Sequence, residues 1–273
     1  MHTVQEWFEL DNQEIARIIA QNVSTAAIYL NGTRRWFLSQ SKDWSEYGRI
    51  IGKAHRELSQ MFFDHGIKTL LQPLLGYDLL QRGQEYVTVA VEHGLIELAA
   101  PEYRYWYRQN EIKVNFYGNW SATLNKLGLS KLVKVLEGII EETGQNIKHD
   151  LLFGIFADEG LDRIVKLAKN VEREQELIKS YYGQIVSPVD LVVGSGQPVI
   201  WDLPLLDINR ANLYFIQAPT YCLTKEKLRQ ILYDHLYQRV NDDGLYGELQ
   251  VREWTDFDIV GLGQQTQRGW VAA

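Results

Sequence analysis

The order of elements along this 273-residue chain predicts an α/β fold, a six-stranded, mainly parallel sheet flanked by helices. Three observations predict it. Apolar runs of strand length alternate with amphipathic stretches of helical length, and that alternation calls for right-handed crossover connections. The run from Val23 to Leu30 is apolar and reads as a buried strand. No repeat, low-complexity tract or proline-rich linker divides the chain, so residues 1–273 read as one domain. An N-terminal helix (1–21) and a C-terminal tail (241–273) extend it.

Asp11 to Ala20 is a short helix with Ile15, Ile18 and Ile19 on its apolar side. The first strand breaks at Asn31-Gly32, a pair suited to a tight turn with unusual backbone angles. Asp43 can cap a helix with Glu46 at its third position, running to about Asp64 and closed by His65-Gly66. Ile67 to Leu71 is the second strand, Pro73 to Gly76 a loop, and Asp78 to Ala100 mostly helix, flexed near Gly94. A Tyr- and Trp-rich helix, Glu102 to Gln109, leads to the third strand, Ile112 to Tyr117. In the helix Ser130 to Glu142, Leu132, Val133, Leu136, Ile139 and Ile140 recur at helical spacing, and Gly144 stops it. Leu151 to Phe156 is a fourth strand, Gly160 to about Tyr181 a helix, Val189 to Val193 a fifth strand and Asn212 to Gln217 a sixth. The last long helix starts at Thr224 and sets Leu228, Ile231, Leu232, His235 and Leu236 on one face.

A net charge of −7 argues against a nucleic-acid partner, whose phosphates demand a basic face. No apolar run approaches the roughly 20 residues that span a bilayer, so no stable membrane insertion is expected. Cys222 is the only cysteine, which excludes an intrachain disulfide and fits a reducing, cytoplasmic setting. Eight Trp and fifteen Tyr serve first to fill a core, yet the same rings can line a site for a cation.

Chemistry concentrates after the first strand. Arg34 and Arg35 follow the Asn31-Gly32 turn at once, where ligands bind in open α/β sheets. Two guanidinium groups beside exposed backbone N–H groups make a seat for a diphosphate, with Gly32 and Thr33 as further donors. Trp36 and Phe37 stand ready as an apolar or cation-facing wall. Solvated arginines on an ordinary strand–turn are the plainer reading of the same spacing. No histidine pair has zinc-ligand spacing, and His65 and His235 read as core or helix-end residues. Asp242-Asp243 reads as a turn rather than a metal site.

The segment Asn31 to Phe37 resembles the first signature of the cis-prenyltransferase superfamily, an Asp-Gly-Asn-Gly-Arg-Trp type motif. Its Gly-Thr-Arg-Arg-Trp-Phe form is similar to the diterpene-alcohol branch, the tuberculosinol, tuberculosinyl-adenosine and kolavelool synthases. Met61 to Ile67, Phe116 to Gly118, Tyr181 to Gly183, Asp202 to Leu206, Leu213 to Phe215 and Leu228 to His235 match in the same order. The resemblance implies a cis-prenyltransferase-like fold, a homodimer, magnesium, and release of diphosphate from a bicyclic C20 allylic diphosphate of kolavenyl or tuberculosinyl type. Water capture of the cation would give a diterpene alcohol. Transfer to a nucleoside, or a non-catalytic subunit, are the alternatives.

On the same resemblance Asn31, Tyr47 and Arg34 are the catalytic candidates, Gly32, Thr33, Arg34 and Arg35 hold diphosphate, and Trp36, Phe37 and Tyr86 line the tunnel. Asn31 stands where the family has the Asp that would hold magnesium. Three readings follow: an enzyme working with a neutral ligand, a binding-only relative, or a substitution introduced to trap substrate. Chain-elongating relatives carry an Arg-Thr-Ser-Gly-Glu type sequence for a second diphosphate. Here Gly194 and Gln197 replace its arginine and acid, which argues for a single-substrate reaction.

Overall fold

Strand β1 (Thr25–Ile28) is buried at every position and paired on both sides, and the rest of the sheet is laid out around it. The computed structural model describes residues 2–83, 87, 91, 94–156, 161–196, 198–200, 205–238, 264–266 and 269–271. With β2 (Thr69–Leu75), β3 (Ile112–Tyr117), β4 (His149–Ile155), β5 (Leu191–Ser195) and β6 (Asn212–Ile216), β1 forms a six-stranded sheet of order β3-β4-β2-β1-β5-β6. Every neighbouring pair is parallel. The chain leaves β1 toward β2 and later returns to its other side as β5. That reversal opens a crevice at the carboxyl ends of β1 and β5.

Side chains alternate across the strands, so Ala26 and Ile28 enter one apolar layer and Ala27 and Tyr29 the other. The helices are α1 (Val4–Glu9), α2 (Asn12–Asn22), α3 (Thr33–Gln40), α4 (Tyr47–Asp64), α5 (Pro101–Gln109), α6 (Trp120–Lys126), α7 (Ser130–Thr143), α8 (Asp162–Ala168), α9 (Glu174–Tyr182) and α10 (Lys225–Tyr233). Trp7, Ile19, Phe62, Leu136 and Leu228 bring α1, α2, α4, α7 and α10 to the first layer. Ile178, Tyr181 and Tyr182 of α9 cover the second.

Four expectations change. Pro73 and Leu75 continue β2 rather than forming a loop; the ladder to β4 shifts register between them, which is how a central strand accommodates a residue without an N–H. Asp78 to Ala100 is not one helix: Tyr77–Arg82 and Glu97–Ala99 are 3₁₀ turns, with a single helical turn at Gly94–Ile96. The stretch from Gly160 to Tyr181 holds two helices, α8 and α9. The arginine turn is itself the start of a helix, α3.

The N-terminal extension packs into the core. Trp7 is fully buried, and its Nε1 donates to the Arg229 carbonyl at 3.0 Å. Arg229, 8% exposed, donates in turn to the Phe8 and Leu10 carbonyls and to Asn12 Oδ1 at 2.7 Å. One buried guanidinium thus satisfies carbonyls at the end of α1 that no helical partner reaches. Arg229→Ala is expected to cost on the order of 2 kcal/mol in urea unfolding. An unchanged urea midpoint contradicts this role.

Candidate active site

Asn31 closes the crevice at the end of β1. Its Nδ2 donates to the Ser195 carbonyl at 2.9 Å, and its Oδ1 accepts the Gly32 N–H at 2.7 Å. A carbonyl on one side and an N–H on the other fix which amide atom is which. Thr220, fully buried, completes the joint: its N–H donates to the Asn31 carbonyl at 3.1 Å, and its Oγ1 accepts the Asn31 N–H and donates to the Tyr29 carbonyl. Gly32 has φ +74°, and a Cβ there would lie 2.9 Å from Pro219 Cβ. Both facts require glycine.

From this joint α3 starts with no side-chain cap and no acidic residue in its first turn. The exposed Arg34 and Arg35 are the second and third residues of that turn. An uncapped helix start and two guanidinium groups together favour an anion. Both arginines border a cavity of about 820 Å³, which Asn31, Gly32, Thr33 and Tyr47 also line. Aliphatic Leu30, Ile51, Leu74, Leu75, Leu95 and Leu98 share its walls with the rings of Tyr29, Trp44, Tyr103 and Tyr221 and with the charged Asp78, Arg82 and Glu97. Such a shape suits a ligand with a charged head and a long apolar body.

Two wall residues are placed differently from expectation. Phe37 is fully buried and packs against Trp44 and Tyr47, each with ring centroids 5.0 Å away; Trp36 packs on Tyr221 at 5.1 Å. Neither lines the cavity, because α3 turns them to its inner side and presents Leu38 instead. Phe37 therefore supports Tyr47 from beneath. Tyr86, Gln197, Asp242 and Asp243 lie outside the described residues. Gly194 is packed tightly, since a Cβ would sit 2.6 Å from the Phe215 ring, and no arginine fits there. His65 Nδ1 donates to the Met61 carbonyl, and His235 Nδ1 bonds Asn212 Oδ1.

His55, which the sequence reading passed over, lies under the cavity in a buried network. Ser59 Oγ donates to the His55 carbonyl and accepts from Gln72 Nε2. Gln72 Oε1 must then accept from His55 Nε2 at 2.7 Å, which leaves Nδ1 to accept the Tyr103 hydroxyl proton at 2.6 Å. Burial holds His55 down to about 4; the Gln72 hydrogen bond opposes this and the Arg56 charge adds to it. Burial, with the neighbouring Tyr107, also pushes the Tyr103 phenol well up. Both groups are neutral at pH 7. Local patterning offered a hint: His55 shares the inward face of α4 with Gly52, Leu58 and Phe62.

Magnesium does not fit Asn31. The ion prefers anionic oxygens, whereas this amide is neutral and bonded to backbone at both ends. Among the described residues no group of three His, Cys, Asp or Glu side chains could hold a metal. Among them, too, no helix is long and apolar enough to cross a membrane.

Comparisons with known proteins agree with this geometry. No family model matches the chain. Over 245 residues it is 30% identical to tuberculosinyl adenosine transferase of Mycobacterium tuberculosis, covering 86% of this chain and 83% of the relative. Over 264 residues it is 26% identical to (+)-kolavelool synthase of Herpetosiphon aurantiacus, covering 90% and 88%. A probable undecaprenyl diphosphate synthase from Campylobacter jejuni superposes with a TM-score of 0.62 at 17% identity, over 81% of this chain and 98% of that one. Lavandulyl diphosphate synthase from Lavandula x intermedia, solved with dimethylallyl diphosphate, gives 0.65 at 15% identity, over 78% and 94%. The two structural matches show the fold.

Two predictions follow from the hydrogen-bond geometry. Asn31→Asp replaces a donor by a carboxylate facing the Ser195 carbonyl, so it is expected to destabilise at pH 8 by about 1–3 kcal/mol. The repulsion raises the new carboxyl's folded pKa, so this loss shrinks as pH falls and the protonated acid donates instead. Equal stability of variant and parent at pH 8 contradicts the latch. The depressed His55 pKa contributes stability that is full above about 6.5, the unfolded value, and lost as pH falls toward 4. Urea unfolding at pH 4.5 should therefore show a loss of roughly 2–3 kcal/mol that His55→Gln does not share. A His55→Gln curve parallel to the parent's refutes it.

Proposed function

Because the chain belongs to the cis-prenyltransferase superfamily, in the diterpene branch of the two relatives above, we propose that it releases diphosphate from a bicyclic C20 allylic diphosphate. The observation that carries this reading is the start of α3, where Arg34 and Arg35 open onto a leucine-rich cavity. The diphosphate sits at Gly32 to Arg35, and the decalin body lies along Leu30, Leu74 and Leu75. Preorganised cationic donors stabilise the charge that develops as the allylic carbon–oxygen bond breaks. The Tyr47 ring, held by Phe37 and Trp44, faces the resulting cation. Water attacks at the internal tertiary carbon and gives a diterpene alcohol of the kolavelool type.

No step of this reading runs through magnesium, and Asn31 acts by shaping the seat rather than by holding a metal. A homodimer and a cytoplasmic setting are further parts of the proposal. Capture by a nucleoside in place of water is the second reading; the higher identity to the adenosine transferase favours it. The packing at Gly194 speaks against a second diphosphate there, so isopentenyl diphosphate should not be incorporated.

Incubation with kolavenyl and tuberculosinyl diphosphates tests the reading: released diphosphate and a C20 alcohol are expected. No release from either substrate refutes it and favours a binding-only subunit. Arg34→Ala and Arg35→Ala should each weaken binding of the substrate diphosphate by about 1–3 kcal/mol, less than for a buried pair because both side chains are exposed. Unchanged affinity in both variants would place the diphosphate elsewhere.

A further inference from the structure

Glu97 brings a carboxylate into this cavity that the reading above does not use. It opens the 3₁₀ turn Glu97–Ala99, is half-buried, and makes no side-chain hydrogen bond or ion pair among the described residues. Helix α4 faces it with two glycines one turn apart. A Cβ on Gly48 would lie 3.1 Å from Glu97 Cγ and Oε1; one on Gly52 would lie 3.4 Å from Tyr103 Cε2 and 3.8 Å from Glu97 Oε2. Neither glycine has a backbone angle that needs glycine, and glycine weakens a helix relative to alanine. Their effect is to let the Glu97 side chain lie close against α4 where both border the cavity. Gly48 directly follows Tyr47, so the carboxylate lies beside the ring assigned to the cation. Arg56 is the nearby charge, its Nη1 3.7 Å from the place of a Gly52 Cβ and its guanidinium over the Tyr103 ring. His55 and Tyr103 are neutral and already paired with each other.

We propose that Glu97 is a catalytic residue that binds the acceptor and takes its proton. The inference rests on the diphosphate release proposed above. The acceptor is a nucleophile carrying an O–H or N–H, and that hydrogen is donated to the Glu97 carboxylate from the cavity that it lines. With water, an oxygen lone pair forms the bond to the allylic cation as an O–H proton passes to Glu97. The product is a neutral alcohol and a neutral glutamic acid, which returns its proton to solvent. With a nucleoside, the same carboxylate accepts a hydrogen bond from an amino or hydroxyl group and orients the ring nitrogen that attacks. Without an oriented acceptor, the cation loses a proton from an adjacent carbon and yields an alkene.

The test follows diphosphate release and the ratio of captured product to alkene in the same samples. Parent, Glu97→Gln and Gly48→Ala are each given a C20 allylic diphosphate, once in buffer and once with adenosine. Glu97→Gln should lower the captured share, taken as the ratio of captured product to alkene among the molecules ionised, at least about tenfold. Gly48→Ala, whose Cβ displaces the Glu97 side chain without altering its charge, should lower it in the same direction. The arm in which the parent's captured product appears tells water from nucleoside. A captured share unchanged in both variants overturns the role of Glu97 and leaves the proposed function standing. Failure of the parent to release diphosphate overturns both.

Discussion

The crevice depends on the two hydrogen bonds of the Asn31 amide. β1 and β5 diverge in sequence by more than a hundred and sixty residues, and their carboxyl ends meet through Asn31 Nδ2 and the Ser195 carbonyl. The same side chain receives the Gly32 N–H and so sets where α3 begins. Thr220 adds the loop after β6 to the joint through three further backbone atoms. A half-buried amide bonded at both ends is neutral and directional; a carboxylate in its place would meet a carbonyl oxygen. This is the physical reason to treat Asn31 as part of the scaffold of the seat. It also separates two properties that a motif joins, holding the turn and holding a metal.

Gly48 and Gly52 let Glu97 and Tyr103 pack close to α4, while Phe37, buried under Tyr47 and Trp44, fixes rings that border the cavity. Charged side chains line it in several places: Arg34 and Arg35 at the start of α3, Asp78 and Arg82 after β2, and the half-buried Glu97.

The sheet was legible because its strands are short apolar runs, and the central β1 and β5 are buried at every position. The extent of β2 was not, because Pro73 reads as a break unless a bulge absorbs it. α3 was hidden too: Gly32 offers no capping side chain, and Trp36 and Phe37 carry no helical signature of their own. Asn31 to Arg35 and Tyr47 stand close together in sequence as a turn, a cation pair and a ring, and all of them line the cavity. Tyr221, Glu97 and Tyr103 reach the same cavity from distant elements, and nothing in their local sequence marks them. The amide's role was equally invisible, because its partner, the Ser195 carbonyl, is backbone.

A structure of the complex with a non-ionisable C20 thiolodiphosphate, grown in the presence of magnesium, tests the central claim most directly. The account predicts the diphosphate oxygens on Arg34, Arg35 and the first amides of α3, with the Asn31 amide still donating to the Ser195 carbonyl. An Asn31 side chain turned away from Ser195 and bound to a metal ion would contradict it.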